Sequence, residues 1–446
     1  MASGIGSKWP WIKKGKLEKS KKPAKLIADR AEFTSTKRKL GNGGIGRIKE
    51  YEVSSSAQSW LGIDDADERK PGKERKVKSR RQVRSGSPKP KNIAMKKLNM
   101  REPGKEAIPD QEDRVRYVAS RMVIVAEKLK DAPNTVIPAD AIEAEGKIKI
   151  RDDKTIIREE PMKKIYMPME LIEGADLYKL LHKIILTNEI KFNEVLRKHG
   201  LTWEAVIKRL FKDIVEAVAY YHDQHVLHRD LKIENILIDK TDGRAKVCDF
   251  DLAVLEGMDK SGLVFTYGSI EALSPEQVIL TEKITTKDDC EIFINRDVPS
   301  ENRVTISEEV FGKWKKGGEN LPNRSEDVWG LGIILYKMGS MGQFPWSISS
   351  SANPFQPDIN SELFRPRSHD RKEIFQRIIS LSARISTLSA KDIAPGWQTL
   401  AYKLLSADPE TRISAQKALQ DPWLNDSLIS HETMAEVIQD LLLPQP

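Results

Sequence analysis

The chain has very little cysteine, no long apolar run and no apolar leader. Two cysteines in 446 residues, Cys248 and Cys290, build neither a disulfide framework nor a four-cysteine metal site. A reducing, intracellular setting is expected, cytoplasmic, with a Lys/Arg run at 69–91 that is compatible with nuclear import. Apolar stretches such as Met122-Val-Ile-Val-Ala126 fall far short of the roughly 18 residues that a membrane span needs. The first residues carry Lys and Trp without an apolar core, and residue 2 is Ala, so neither a secretory signal nor N-myristoylation is indicated. What is present, 39% hydrophobic and 31% charged residues, is a globular mix sufficient for two or three domains' worth of core.

Charge is uneven. The formal net charge is +8, with 12 Lys/Arg against 3 Asp/Glu in residues 1–40 and 11 against one in residues 69–91. The remainder is therefore mildly acidic. Basic segments of this kind suit an anionic partner, whether membrane, nucleic acid or acidic protein. A solvated extension is the plainer expectation, because no zinc-finger spacing or aromatic RNA-binding motif accompanies the charge.

Along the chain, residues 1–35 read as a basic extension. Residues 36–53 read as two short strands about a glycine-rich turn, Leu40-Gly-Asn-Gly-Gly-Ile-Gly-Arg-Ile48, and residues 54–91 as an inserted basic loop. Residues 92–98 are a strand candidate. Residues 110–131 have the three- and four-residue apolar steps of a helix. Residues 164–172 read as a strand that leaves through Glu173-Gly174. Trp203, Val206, Ile207, Leu210, Phe211, Ile214, Val215, Val218 and Tyr221 fall on one face of a helix over 203–222. Strands come early and helices late, which predicts an α+β molecule of two lobes rather than one doubly wound sheet.

Three elements carry chemistry. Gly41, Gly43 and Gly46 let backbone N–H groups approach phosphates without Cβ obstruction, although taken alone a plain hairpin turn is the commoner explanation. Lys96, in Ile93-Ala-Met-Lys96, has the charge to neutralise nucleotide phosphates, and the small Ala94 leaves room for a flat ring. The third element decides the reading: His228-Arg-Asp-Leu-Lys-Ile-Glu-Asn235, followed fourteen residues later by Asp249-Phe-Asp251. Asp230 has the chemistry to orient and deprotonate a hydroxyl and Lys232 to offset phosphoryl charge. Asn235 and Asp249 offer hard oxygens suited to Mg²⁺. Each residue alone has a routine surface or turn explanation, and His228 reads as core. In this order and spacing a chance match is excluded for practical purposes.

On these residues the sequence resembles the eukaryotic-type protein kinase family over roughly residues 36–426. The resemblance implies a bilobal protein-kinase-like fold with a small antiparallel β-rich N-lobe over 36–172 and a large, mainly helical C-lobe over 173–426, followed by a helical tail at 427–446. It implies ATP and Mg²⁺ as cofactors and protein substrates as partners. The nucleotide would lie against Leu40, Gly41, Gly43, Gly46, Ile48, Ala94 and Lys96, with Glu170 and Ile172 in the adenine-binding hinge and Asp176 near the ribose. Asp230 and Lys232 would be catalytic, and Asn235 and Asp249 would hold the metal. Gly268–Glu276 resembles the end of the activation segment and Asp327–Gly332 the helix that anchors the catalytic loop. Arg412 would pair with Glu276. Lys232 and Ser269 are typical of Ser/Thr kinases, and Arg229 of members controlled by phosphorylation, with Ser261, Thr266 and Tyr267 as acceptors.

The pattern breaks twice. Position 251 is Asp where the family has Gly, and its carboxylate is expected to point to solvent. The acid expected midway along the 110–131 helix, as partner of Lys96, is missing: the position falls on Arg121, Met122 or Val123, and Glu112 and Glu127 lie too far around the helix. Residues 281–325 form a second insertion, either a tolerated surface loop or a determinant of specificity or regulation. Two other readings follow: a catalytically weak pseudokinase acting as a nucleotide-gated scaffold, and a basic tethering module built on 1–40 and 69–91.

Overall fold

The structure, a computed structural model, describes residues 33–42, 46–53, 91–99, 111–139, 141–152, 155–186, 189–257, 269–296, 298, 300, 303–345, 371–388, 393 and 395–443. Most of the basic extension and the basic loop, together with Ser261, Thr266 and Tyr267, lies outside these residues.

The chain opens with strands β1 (Phe33–Asn42), β2 (Gly46–Val53) and β3 (Lys91–Asn99), helix α1 (Gln111–Lys128), then β4 (Ile142–Asp152) and β5 (Thr155–Met169). They form one antiparallel sheet in the order β1-β2-β3-β5-β4. The β4–β5 hairpin is longer than the sequence reading, which has a strand only from 164. The signal for β4 was present, as Ile142, Ala144, Gly146, Ile148 and Ile150 alternate with charged residues at the strand period of two. Helix α1 lays Ala119 and Met122 against Leu98, Ile165 and Met167 in a small apolar core. This packing brings the middle of α1 to the strand that carries Lys96.

The second lobe begins with β6 (Gly174–Asp176), α2 (Leu177–Leu186), α3 (Glu189–Lys198) and α4 (Trp203–Asp223). Thr202 caps α4 by accepting from Ala205 N at 3.3 Å. Of the apolar face read from sequence, Val206, Ile207, Leu210, Phe211, Ile214, Val215, Val218 and Tyr221 are buried in the main core and Trp203 packs at its edge. Beyond α4 run β7 (Val226–Leu227), β8 (Ile236–Asp239), β9 (Ala245–Val247) and β10 (Val254–Leu255). These pair as β6-β8-β9 and β10-β7, so the polar segments 228–235 and 248–253 emerge side by side.

Helices α5 (Pro275–Thr281), α6 (Lys287–Ile294), α7 (Glu308–Glu319) and α8 (Arg324–Gly339) follow. Asn323 starts α8 through a capping box with Glu326. Gly330 in α8 permits close approach of the segment 228–235: a Cβ there would stand 2.9 Å from Leu231 Cβ and 3.1 Å from its carbonyl oxygen. Helices α9 (Arg371–Thr387), α10 (Trp397–Leu404), α11 (Ala415–Ala418), α12 (Pro422–Asn425) and α13 (His431–Leu442) complete the lobe. The C-terminal α13 is docked: Met434, Val437 and Ile438 are fully buried, and His431 Nε2 lies 3.0 Å from Asp213 Oδ1. Among the described residues no helix is long and apolar enough to cross a membrane.

The surface-loop expectation for 281–325 is corrected. Its two helices contribute Cys290, Ile294, Phe311 and Trp314 to the main core. Trp314 is fully buried and donates to Ala407 O at 2.8 Å. The segment was open to misreading because its apolar residues are widely spaced and are covered by distant partners, α7 packing against α5 and α6 against the later helix α9. Two glycines of α7 test this packing. Gly312 has open space at its Cβ position, whereas a Cβ on Gly317 would meet Pro409 Cγ at 2.7 Å and Glu276 Cβ at 3.3 Å. Gly312→Ala is expected to stabilise by about 0.5–1 kcal/mol through helix propensity. Gly317→Ala is expected to destabilise by about 1–2 kcal/mol, because overpacking outweighs that gain. Denaturant melts of the two variants compare them, and equal shifts would contradict the packing.

Candidate active site

Lys96 enters the site from β3, in register between Ile48 of β2 and Met167 of β5. Its side chain is nearly wholly buried, and its ammonium lies 2.5 Å from Asp249 Oδ1 and 2.5 Å from Asp251 Oδ1. Burial alone would lower the lysine's pKa, but Asp251 and Asp249 hold it above its ordinary value. Burial would likewise raise Asp249, and the Lys96 charge and hydrogen bond bring it below the usual range. Burial pushes Asp251 up to about 6, with Lys96 pulling against the shift and Asp249 adding to it.

Asp251 is only 6% exposed, which corrects the expectation that it faces solvent. It sits in the short 3₁₀ turn Phe250–Leu252, where no left-handed backbone is required. The left-handed residue is Asp249, at φ 67°, a conformation uncommon for a residue with a Cβ and held here by its surroundings. Phe250 packs inward, its ring 4.6 Å from that of His228 and 5.9 Å from that of Tyr221. The missing helix acid also has its answer. Arg121 of α1 is buried and donates to the Asp251 carbonyl, and its guanidinium lies 5.6 Å over the Tyr117 ring. Glu127 points outward, 3.7 Å from Lys130. The position expected to be acidic carries a cation, and the position expected to be glycine carries the acid.

The segment 228–235 supplies the other half. Asp230 Oδ2 accepts from Lys232 Nζ at 2.8 Å and Asn235 Nδ2 at 3.0 Å, and Asp230 Oδ1 accepts from Ser269 N at 2.8 Å and Ser269 Oγ at 3.1 Å. Lys232 also donates to Ser269 Oγ at 2.6 Å, so a serine hydroxyl lies between the carboxylate and the ammonium. Burial lowers the Lys232 pKa, but Asp230 more than reverses this, which keeps the amine charged. Asn235 is tied to the opposite segment, since its carbonyl accepts from Cys248 N at 2.9 Å. Asn235 and Asp249 therefore lie on adjoining segments, an amide and a carboxylate whose oxygens suit a small hard cation. Among the described residues no cluster of three or more His, Cys, Asp or Glu stands ready for a metal. Burial and the Asp249 carboxylate push the Cys248 thiol up, so it is not a reactive thiolate.

His228 is fully buried, with Nε2 3.0 Å from Cys248 O. Asp327 at the start of α8 holds the loop from beneath, accepting from His228 N at 2.8 Å and Arg229 N at 2.7 Å. Arg412 reaches Glu276 with bonds of 2.7 and 3.2 Å.

The remaining sequence candidates fall as follows. Ala94 is buried opposite Met169 of β5. Leu40 and Ile48 are half-buried on β1 and β2, on which Gly41 and Gly46 also lie, while Gly43 is outside the described residues. Glu170 is exposed and accepts from Lys246 Nζ at 3.1 Å, and Ile172 is half-buried after it. Asp176 Oδ1 accepts from Lys179 N at 2.8 Å at the start of α2. The structure thus joins Lys96 with Asp249, and Asp230 with Lys232 and Asn235, and links the two groups through Cys248. Sequence reasoning missed Asp251 and Arg121 as partners and Ser269 as a contact of Asp230. The first two were detectable as complementary departures, an arginine for an acid and an acid for a glycine. Ser269, 39 positions from Asp230, has no local signal.

A protein kinase domain profile matches residues 125–290. The matched residues belong to a eukaryotic-type protein kinase domain. The matched stretch begins within α1, so β1, β2 and β3 with Lys96 lie outside it, while β4 and β5 lie inside. Similar curated proteins include the probable serine/threonine-protein kinase fhkA of Dictyostelium discoideum, 29% identical over 267 residues that cover 59% of this chain and 37% of that protein. CBL-interacting protein kinase 21 of Oryza sativa subsp. japonica is 27% identical over 262 residues, 58% of this chain and 35% of that protein. The probable serine/threonine-protein kinase fhkD of Dictyostelium discoideum is 30% identical over 266 residues, 58% and 27%. The kinase chain thus spans only about a third of the length of these relatives.

Proposed function

We propose that this protein transfers the γ-phosphoryl group of ATP to serine or threonine hydroxyls of protein substrates. The observation that carries the reading is the junction of Asp230, Lys232, Asn235 and Ser269 beside the Lys96–Asp249 pair. In this reading Gly41, Gly43 and Gly46 lie along the phosphates, and Leu40, Ile48, Ala94, Glu170, Ile172 and Asp176 frame the nucleoside. Lys96 presents its ammonium to the α- and β-phosphates. Asn235 and Asp249 would hold Mg²⁺, which suits one carboxylate and one amide because that ion keeps water and phosphate oxygens as its other ligands. When bound it neutralises charge on the phosphates.

Asp230 orients the acceptor hydroxyl and takes its proton. Its two oxygens are fixed from both sides by Lys232, Asn235 and Ser269, so the carboxylate is aimed before substrate arrives. Lys232, kept charged by Asp230, offsets the charge of the moving phosphoryl group. Most of the acceleration comes from such positioning and preorganised charge. The Lys232–Ser269 pair supports hydroxyl amino acids as acceptors, as does the similarity to two probable serine/threonine-protein kinases.

The test is incubation of purified protein with γ-labelled ATP, Mg²⁺ and a generic Ser/Thr-rich acceptor protein. Transfer is expected, and Asp230→Asn should lower it about 10²–10⁴-fold while leaving ATP binding in place. Lys96→Met and Asp249→Asn should abolish transfer as well. ATP binding without transfer in the wild type would favour the scaffold reading instead, and absence of nucleotide binding would end both.

A further inference from the structure

The two departures from the family pattern occupy one place. Lys96 is buried between two carboxylates, Asp249 and Asp251, each 2.5 Å from its nitrogen. Among the described side chains of α1, Val115 to Lys128, the only acid is Glu127, which is exposed beside Lys130. The buried residue of α1 that faces the site is Arg121, and it grips the Asp251 backbone carbonyl rather than any carboxylate.

We propose that Asp251 is the positioning counter-ion of Lys96, in place of a helix carboxylate, and that Arg121 holds the turn that carries it. The argument begins with the lysine. Lys96 is 1% exposed, and its ammonium cannot be left unpaired without a large desolvation penalty. If Asp249 turns toward a divalent ion, as the proposed function requires, a second carboxylate has to remain on Lys96. Asp251 fills that need, since it approaches the same nitrogen from two residues further along the same turn. Arg121 completes the exchange. A guanidinium has five donors and no acceptor, so it cannot pair with Lys96, but it can anchor a carbonyl.

This arrangement has a mechanical consequence. Where the counter-ion sits on a helix, the lysine is organised only when that helix swings in. Here the counter-ion and the metal-facing Asp249 belong to one turn, Asp249 to Leu252, and move together. Helix α1 reaches that turn through the Arg121–Asp251 carbonyl bond, rather than through a carboxylate on Lys96 from its described side chains. The inference rests on the phosphotransfer reading for the use of the site, but the ion pair itself is read without turnover.

The test uses the full chain and three variants: Asp251→Asn, Asp251→Gly and the double variant Asp251→Gly/Arg121→Glu, which returns the carboxylate to the helix. Calorimetry measures the affinity for Mg²⁺–ATP and the Mg²⁺ concentration that gives half-maximal nucleotide binding, and labelled ATP measures transfer. In Asp251→Asn, Lys96 keeps hold of Asp249, so the Mg²⁺ requirement for binding is expected to rise about tenfold. Asp251→Gly should behave the same way, and the double variant should recover most of the loss. A folding defect alone would lower the active fraction and leave the Mg²⁺ midpoint in place, which counts against the proposal. So does an Asp251→Asn midpoint equal to wild type, or a double variant no better than Asp251→Gly. If the wild type binds Mg²⁺–ATP without transferring phosphate and the midpoints still move as expected, the counter-ion stands and the phosphotransfer reading falls. If the wild type transfers phosphate and the midpoints do not move, the reverse holds.

Discussion

Arg412→Leu should lose about 3–5 kcal/mol of stability, the cost of breaking a buried ion pair from one side. Arg412 and Glu276 both have side chains with no exposure, and the guanidinium bonds the carboxylate at 2.7 and 3.2 Å. The same guanidinium donates to Ser325 O at 2.9 Å and Ser406 O at 3.0 Å and lies 5.0 Å from the Trp329 ring. One residue thus joins α5, the start of α8 and the loop before α11. Leucine removes every one of these bonds and leaves the Glu276 carboxylate buried without its cation. For a lobe of this size the melting temperature should fall by about 10 °C or more. The double variant Arg412→Leu/Glu276→Met leaves no orphaned charge and should recover much of the loss, because a buried pair replaced as a whole by apolar groups is often neutral. Equal destabilisation of the single and double variants would show that the pair itself is not what holds the three segments together.

The second large effect is expected at Asp327. Its two oxygens accept from His228 N, Arg229 N and His222 Nε2 at 2.8, 2.7 and 3.0 Å. Arg229 has φ 66°, a left-handed conformation that needs such support. Asp327→Asn keeps one carbonyl oxygen and turns an NH₂ group toward donors. The expected cost is about 3 kcal/mol, from a lost charge-assisted bond and a buried donor left unmatched. Asp230 follows Arg229 directly, so a displaced loop should also cut phosphoryl transfer about 10²-fold. The deficit has a definite pH dependence. Burial works to raise Asp327, but His222 and the loop amides hold its folded pKa below the ordinary 3.8. A depressed carboxylate contributes stability that is present above the unfolded pKa and lost as pH falls through the folded one. The gap between wild type and variant should therefore be full at pH 7 and narrow below about pH 4. Denaturant melts at pH 7 and pH 3.5 compare the two, and a constant gap would remove the carboxylate from the explanation.

Much of the kinase site is legible because its chemistry is written in short segments. Asp230, Lys232 and Asn235 fall within six positions, and Asp249 follows one β8–β9 hairpin later, so local chain geometry nearly suffices to bring them together. The helix at 203–222 is equally legible, since nine apolar residues at helical steps have few other ways to be buried. The contacts made across long separations are different in kind. Ser269 meets Asp230 across 39 positions, beyond the reach of local chain geometry. Asp251 meets Lys96 across 155 positions, and Arg121 reaches Asp251 across 130. A residue-by-residue reading treats Arg121 and Asp251 as two separate faults in the site. In space they are one exchange of charge.

The sequence by itself determined the α+β lobes, the family and the polar set of the catalytic segment, because periodicity and short spacing constrain backbone and side chains locally. Only the tertiary structure decided which acid neutralises Lys96, that residues 281–325 are core rather than loop, and that the C-terminal helix is docked. The physical reason is the same in each case. Burial of a charge or an apolar face is settled by what packs over it, and what packs over it comes from elsewhere in the chain.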